Sequence, residues 1–546
     1  MPALLTVLMM TTQTPSYYPA LTTSPVQAFT IGDILRHAAE RTPDAPALLE
    51  AGMDGTLGRA WTYQELLEQA ETLAHALTSR YQPGERICVW APNVPEWVIL
   101  EFASALAGLT LVTANPAYQP RELRFVLEQS RSVGLFMVGE YRGNPMAKIA
   151  AEVADGLPAL REVIDLADAA ALYAQAGARK PLPTVLATDP VQIQYTSGTT
   201  GFPKGAVLSH LGLVNNARFC FECAQVRHGE SVLLFMPLFH TTGCAILTLG
   251  SVQFGCRVIL AKLFDPAKMN ALIAAQQVNM FVAVPTMLIG MLEAQAAAPC
   301  DLTSIRMIVS GGSMVPPELV RQVTDVFGCG FQIVYGQTES SPVLTQIRSD
   351  DSFEDACHTA GRPIAQTEIS IREPNSNAVV PMGGVGEICA RGYCLMIGYN
   401  DNPEATAAAI DAEGWLRTGD LGTLDDRGYV RVTGRVKDMI IRGGENLFPA
   451  EIENILLEHA DVAEVAVIGV PDTRFGEAVA CFVRPTTGAK VHVPNLVAHC
   501  RAHMSAQKTP AHWIEVAEWP LTGSGKIQKF VLRDRYVAGE FTVMSR

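Results

Sequence analysis

The segment YTSGTTGFPKGA, Tyr195 to Ala206, packs three glycines, five hydroxyl side chains, one proline and one lysine into twelve residues. That mixture suits a polyanion. Glycines remove the Cβ obstruction and admit positive φ. Successive backbone N–H groups form an anion-binding concavity. Hydroxyls donate to phosphate oxygens, and Lys204 adds a point charge. The candidate phosphate contacts are Thr196, Ser197, Gly198, Thr199, Thr200 and Lys204. The loop is not of the GxxxxGK[ST] kind, because Gly205 follows the lysine where Ser or Thr is required. A second glycine–lysine run, Gly523 to Lys526, fails the same pattern, since Ile527 follows its lysine.

Other chemistry-bearing residues are scattered along the chain. Glu339, in YGQTE (335–339), offers a hard oxygen donor of the kind Mg²⁺ takes beside substrate phosphates. Gly311, Gly312 and Ser313, in SGGS (310–313), follow a predicted strand end, where open α/β sheets bind ligands. Asp420, in WLRTGD (415–420), precedes a predicted turn, and its carboxylate can accept two hydrogen bonds from ribose hydroxyls. Cys220 and Cys223 form the single CxxC among twelve cysteines; without a second pair they read as helical, partly buried thiols.

These residues need a scaffold. Val191 to Tyr195 alternates apolar and polar, so the loop leaves a strand, and a helix signal resumes near His210. The expected setting is strand, glycine-rich loop, helix. Short apolar runs at 231–236, 279–284, 306–310 and 331–335 alternate with amphipathic segments such as 266–276 and 316–327. That alternation predicts α/β layers with largely parallel sheets. The charged, glycine-bearing stretch from Arg435 separates this region from about 110 residues of a second β/α pattern. Helices are expected there near 449–459, near 494–503 and from about 526, with strands near 463–470 and 479–484.

With 546 residues, the chain can hold roughly three or four domain-sized units. Its 48% apolar and 18% charged residues describe an ordinary globular protein. The net charge of −14 argues against a general nucleic-acid binder, which would present a basic face. No apolar run reaches the roughly 20 residues that span a bilayer. No Lys or Arg precedes Arg36, which speaks against a secretory or mitochondrial leader. With unpaired cysteine usage, the expectation is a cytoplasmic protein.

In order and type, the motifs from about residue 30 to 535 resemble the adenylate-forming (AMP-binding) superfamily. That group includes acyl-CoA synthetases, luciferases and peptide-synthetase adenylation domains. NPAYQ (115–119), RGY (391–393), KDMIIRGGEN (437–446) and SGKIQK (524–529) look most like medium-chain fatty acyl-CoA synthetases. The resemblance implies an α/β fold with a large N-terminal domain of layered subdomains, 1–434. A hinge would follow at 435–438, and then a small mobile C-terminal α+β domain, 439–546.

It also implies roles. Tyr335 would lie near adenine with Gly311, Gly312 and Ser313. Thr338 would contact the α-phosphate, Glu339 would hold Mg²⁺, and Asp420 and Arg435 would hold ribose. Lys437 would be the hinge residue. Gly443, Gly444 and Glu445 would line the pantetheine channel, with Phe475 near the CoA adenine; Thr509 and Ala511 depart from the basic residues some relatives carry. Lys526 would bridge the attacking carboxylate and the α-phosphate.

His240, Thr241, Val334 and Gly336 would shape the acyl pocket. Val334 stands where many aryl-acid ligases have glycine, which favours a short or medium aliphatic acid. The segment around His240 lacks the aspartate that meets an amino-acid amine. The implied activity is ATP-dependent conversion of a carboxylic acid to its CoA thioester through acyl-AMP, by a monomer or homodimer. An aryl-CoA ligase and an acyl-AMP ligase loading a carrier protein are alternatives within the class. A non-catalytic nucleotide- or acyl-binding protein is the alternative outside it.

Overall fold

The computed structural model describes residues 14–52, 55–176, 181–196, 203–443, 445–486, 488–522 and 526–544. Among these residues the strands form four sheets. The largest runs in the order Arg362–Pro363, Val343–Gln346, Gly330–Gly336, Met307–Gly311, Met280–Ala283, Ser231–Leu234, Arg257–Ala261, Pro46–Ala51, Leu57–Thr62. It is parallel from Pro46–Ala51 through Gly330–Gly336 and antiparallel at both margins. Ser231–Leu234 and Met280–Ala283 are buried along their whole lengths. Strands covered on both faces read as continuous apolar runs, which is how the sequence announced them.

A second sheet places Thr110–Ala114 beside Pro190–Thr196, in parallel. Two further strands, Lys204–Ser209 and Gly398–Tyr399, close its edge in antiparallel register. The expected strand–loop–helix setting is therefore corrected. The loop after Thr196 returns as a strand, and the helix His210–Cys223 starts only after it. Ser209 ends that strand and caps the helix, its Oγ accepting the Gly212 N–H at 3.1 Å.

The third sheet differs from the largely parallel layers the sequence suggested. Tyr17–Tyr18, Thr367–Arg372, Gly386–Gly392, Leu416–Leu424 and Val430–Arg435 pair antiparallel throughout. Asp420 lies inside Leu416–Leu424, not before a turn.

The fourth sheet follows Val430–Arg435 in the chain. Ile440–Arg442, Glu445–Leu447, Gly476–Pro485, Val462–Asp472 and His512–Glu515 form it. Helices Pro449–Leu457 and Val493–His503 share one apolar core with it, around Trp513. The last helix is Lys529–Val537 and begins later than 526, because Ile527 is first held in an antiparallel bridge to Leu521. The whole is a layered α/β body with a smaller α+β unit at its C-terminal end. Among the described residues, no helix is long and apolar enough to cross a membrane.

Candidate active site

Two phosphate-loop candidates, Thr196 and Lys204, lie at the ends of paired antiparallel strands. Thr196 and Lys204 are cross-strand partners, and Thr196 Oγ1 donates to the Lys204 carbonyl at 3.4 Å. Ser197, Gly198, Thr199 and Thr200 lie outside the described residues. Lys204 Nζ stands 5.0 Å above the ring of Tyr399. The Tyr399 hydroxyl donates to Glu339 Oε1 at 2.7 Å. Glu339 is nearly buried, in the single 3₁₀ turn Thr338–Ser340 that follows Gly330–Gly336. Thr338 opens that turn and is half-buried. Lys204, Glu339 and Thr338 thus share one locality. Tyr399 connects them and was not singled out from sequence.

Asp420 anchors a second locality. It accepts the Tyr335 hydroxyl on Oδ2 at 2.9 Å and Arg435 Nε on Oδ1 at 3.1 Å. Asp420 and Arg435 face each other across paired strands, so the sheet itself fixes their contact. Burial, then the Asp420 charge, pushes the Tyr335 phenol well above its ordinary pKa, so it stays a donor at neutral pH.

Lys526 joins the two. Its backbone is bonded to Thr522: Thr522 N–H donates to the Lys526 carbonyl at 2.8 Å, and Lys526 N–H donates to Thr522 Oγ1 at 3.0 Å. The side chain lies over Gly312. A Cβ there would stand 3.2 Å from Lys526 Cε, and φ at Gly312 is +80°. Glycine therefore serves two needs, a left-handed backbone and room for the lysine. Gly311 is buried against its strand partner Val334, and Ser313 is exposed beyond the turn. Burial pushes the Lys526 pKa down to about 8, and Arg435 adds to the fall; Asp420 and Glu339 oppose it.

His240 faces the same cation from the chain entering the π-helix Thr242–Leu249. Burial, then Lys526, pushes its pKa down to about 3, so the imidazole is neutral. His240 Nδ1 accepts the Thr242 N–H at 3.3 Å, which leaves the proton on Nε2 as a free donor. Thr241 is fully buried, and its hydroxyl finds no partner among the described residues. Val334 is half-buried. At Gly336 a Cβ would meet the Pro342 carbonyl at 2.0 Å, so two backbones close that side.

The remaining candidates lie after Arg435 in the chain. Lys437 is exposed in the turn between Val430–Arg435 and Ile440–Arg442. Gly443 donates its N–H to the Phe475 carbonyl at 2.8 Å, and Glu445 accepts from Gln507. Gly444 lies outside the described residues. Phe475 is flanked by Arg442 at 4.6 Å and Arg474 at 5.0 Å. This cation–aromatic group is a second feature the sequence reading missed, since Arg442 is 33 residues away from Phe475 in the chain.

The model for AMP-binding enzyme matches residues 35–400, and that for the AMP-binding enzyme C-terminal domain matches 451–526. The Bacillus subtilis (strain 168) protein YngI, which carries an acyl-CoA synthetase name, is 35% identical over 93% of this chain and 97% of its own. The human mitochondrial medium-chain acyl-CoA ligase ACSF2 is 33% identical over 95% of this chain and 89% of its own. Among solved structures, the Mycobacterium tuberculosis fatty acyl CoA synthetase superposes with a TM-score of 0.73 at 31% identity, over 93% and 99% of the two chains.

The lysine environment is directly testable. Competitive acetylation of the free protein, read by mass spectrometry at Lys526, is expected to titrate with a pKa of about 8. Because Asp420 raises that value, Asp420→Asn is expected to lower it.

Proposed function

The chain belongs to the AMP-binding enzyme family, as an AMP-forming acyl-CoA synthetase, and from that premise we propose which residues carry its two half-reactions and which acid it takes. The single observation that carries the reading is Lys526 lying over Gly312, close enough to Glu339, Asp420 and Arg435 for their charges to act on it.

In the first half-reaction a substrate carboxylate oxygen attacks the α-phosphorus of ATP, and pyrophosphate leaves. Two anions must meet. Lys526, protonated below about pH 8, would stand between them and offset their repulsion as charge develops. Thr338 and Lys204 would hold phosphate oxygens, and Asp420 with Arg435 would hold the ribose hydroxyls. Neutral His240 would donate its Nε2–H toward the carboxylate without neutralising it. Glu339 fits Mg²⁺: it is a nearly buried oxygen donor, and only a tyrosine hydroxyl is hydrogen-bonded to its side chain among the described residues. The ion would spread the charge of the phosphates and the leaving pyrophosphate.

In the second half-reaction the CoA thiol displaces AMP from the acyl carbon. Lys526 then obstructs the site, so the unit after about residue 438 would turn about Lys437 and present Gly443 to Glu445. Hinges need only a few residues whose φ/ψ can change. Phe475 between Arg442 and Arg474 supports a CoA adenine site. An aromatic face takes the base, and two guanidinium groups take phosphate, which compensates for Thr509 and Ala511.

Val334 packs against Gly311, where a smaller residue would leave a deeper slot. Short and medium aliphatic acids fit that restriction. The twelve free cysteines suit a reducing compartment, which favours the cytoplasm.

The deciding assay is AMP release with ATP, Mg²⁺ and acids from acetate to laurate plus benzoate and cinnamate, with and without CoA. CoA-dependent turnover concentrated at C4–C10 supports the proposal; turnover on aromatic acids alone overturns the acid assignment. Lys526→Ala is expected to slow ATP–pyrophosphate exchange by a factor on the order of 10²–10³ while ATP binding and thiolysis of supplied acyl-AMP persist. In the parent, kcat/KM for adenylation should fall as pH rises through about 8, because the ammonium is the active form. Val334→Gly is expected to raise kcat/KM for cinnamate relative to octanoate by roughly tenfold or more. Arg474→Ala should raise the CoA KM roughly tenfold and leave pyrophosphate exchange unchanged.

A further inference from the structure

The segment Met396 to Asn400 lies as a strap across two walls of the site. At one end the Met396 N–H donates to the Glu339 carbonyl at 2.8 Å. Ile397 then donates to the Val207 carbonyl at 2.8 Å, and Gly398–Tyr399 pairs with Ala206 and Val207 on the outgoing strand of the phosphate hairpin. At the far end Asn400 donates its N–H to the Gly205 carbonyl at 2.8 Å. Its side chain donates to the Gln129 carbonyl at 2.9 Å, and Gln129 returns a bond to the Asn400 carbonyl at 2.6 Å. The Tyr195 hydroxyl, at the foot of the loop, donates to the same Gln129 at 2.5 Å. Tyr399 N–H is itself held by Thr406 Oγ1 at 2.9 Å. The tyrosine ring is thus fixed at its backbone on both sides.

That ring stands between opposite charges. Lys204 Nζ sits 5.0 Å over its face, and Glu339 Oε1 accepts its hydroxyl at 2.7 Å. Neither charge makes an ion pair with a described residue. Both are nonetheless on one aromatic side chain, in a site built for a polyanion. A lysine and a carboxylate this near would otherwise pair, and the pair would have to break before phosphate could enter. Resting the ammonium on a ring face keeps it attracted but not committed. Bonding the carboxylate by one hydroxyl orients it and leaves its charge intact.

We propose that Tyr399 is a positioning residue that aims Glu339 at the metal ion and holds Lys204 ready for phosphate, and that it prevents the two from neutralising each other in the empty site. The inference rests on the reading of Glu339 as the metal ligand given above. Two losses are separable. Tyr399→Phe keeps the ring under Lys204 and removes the bond to Glu339. Tyr399→Leu removes both.

The test is Mn²⁺ binding to the enzyme saturated with α,β-methylene-ATP, followed by the free Mn²⁺ signal in electron paramagnetic resonance. AMP binding serves as the control, since its contacts lie at Tyr335, Asp420 and Arg435. Tyr399→Phe is expected to weaken Mn²⁺ binding roughly tenfold and to leave AMP affinity within about twofold. Tyr399→Leu is expected in addition to weaken metal-free α,β-methylene-ATP several-fold, and adding Glu339→Gln to it should restore that affinity by freeing Lys204. Mn²⁺ affinity unchanged in Tyr399→Phe overturns the inference. Glu339→Gln separates the two levels: if it too leaves Mn²⁺ affinity unchanged, the metal-ligand reading falls; if it weakens Mn²⁺ while Tyr399→Phe does not, only the role of Tyr399 falls. Should Tyr399→Leu fail to fold, the phenylalanine variant alone decides.

Discussion

The arrangement turns on one contact between distant parts of the chain, Lys526 over Gly312. It brings a lysine near the C-terminus to the end of strand Met307–Gly311 in the largest sheet. The cost is desolvation, visible in the fall of its pKa to about 8. A lone buried cation would be driven lower. Asp420 and Glu339 recover part of the charge, so these two carboxylates keep the lysine protonated at neutral pH. Charge on one member therefore depends on the others, and the locality behaves as one electrostatic unit.

Within that unit, neighbouring polar groups are held in different protonation states. His240 is neutral because burial and Lys526 both disfavour its proton. Tyr335 is a neutral donor because burial and Asp420 disfavour phenolate. A pocket that must admit a carboxylate, a triphosphate and a metal ion gains from having few mobile protons. Lys526, with a pKa of about 8, stays largely protonated at neutral pH beside the neutral His240. A backbone N–H fixes the His240 tautomer, so the donor direction is set before any substrate arrives.

Much of this was legible in the sequence. The glycine–hydroxyl–lysine run and the carboxylates at 339 and 420 were visible as residue types that suit a polyanion and its metal or sugar, whereas Lys526 stood out only through the family resemblance, since its own glycine–lysine run fails the phosphate-loop pattern. Buried parallel strands such as Met280–Ala283 were visible as apolar runs. The return of the phosphate loop as Lys204–Ser209 was not. Six residues buried in adjacent pairs, Gly205–Ala206 and Leu208–Ser209, lack the alternation that marks a strand and are too short to separate one from the first turn of a helix. The antiparallel sheet was missed for another reason: Tyr17–Tyr18 pairs with residues near 370, and no local pattern reports a partner that far away. Tyr399 belongs with these. Its neighbours Gly398 and Asn400 suggest only a turn, and its function as a bridge exists because one strand is laid beside another in three dimensions.

The same logic explains a buried polar chain beneath the site. Glu101 is enclosed in the helix Pro95–Leu106, where every residue but Glu96 is buried, and burial raises its pKa well above the ordinary carboxylate value, against the opposing hydrogen bond from Gln192. Gln192 donates to it at 2.7 Å, Gln194 donates to Gln192 at 2.8 Å, and Gln194 meets the Cys244 sulfur at 3.1 Å. Cys244 in turn donates to the His240 carbonyl at 3.4 Å. Gln192 and Gln194 lie on the strand that enters the phosphate loop; Cys244 lies in the π-helix beside the acyl side. An apolar core would have joined these elements with more stabilisation and less direction. Hydrogen bonds specify one register. A slip of the strand by one residue would turn both glutamines out of the network, so the chain of amides ties the phosphate wall and the acyl wall to a single relative position. Attack of the acid on the α-phosphorus needs those walls at a fixed separation, and the core meets that need with polar groups that tolerate no alternative packing.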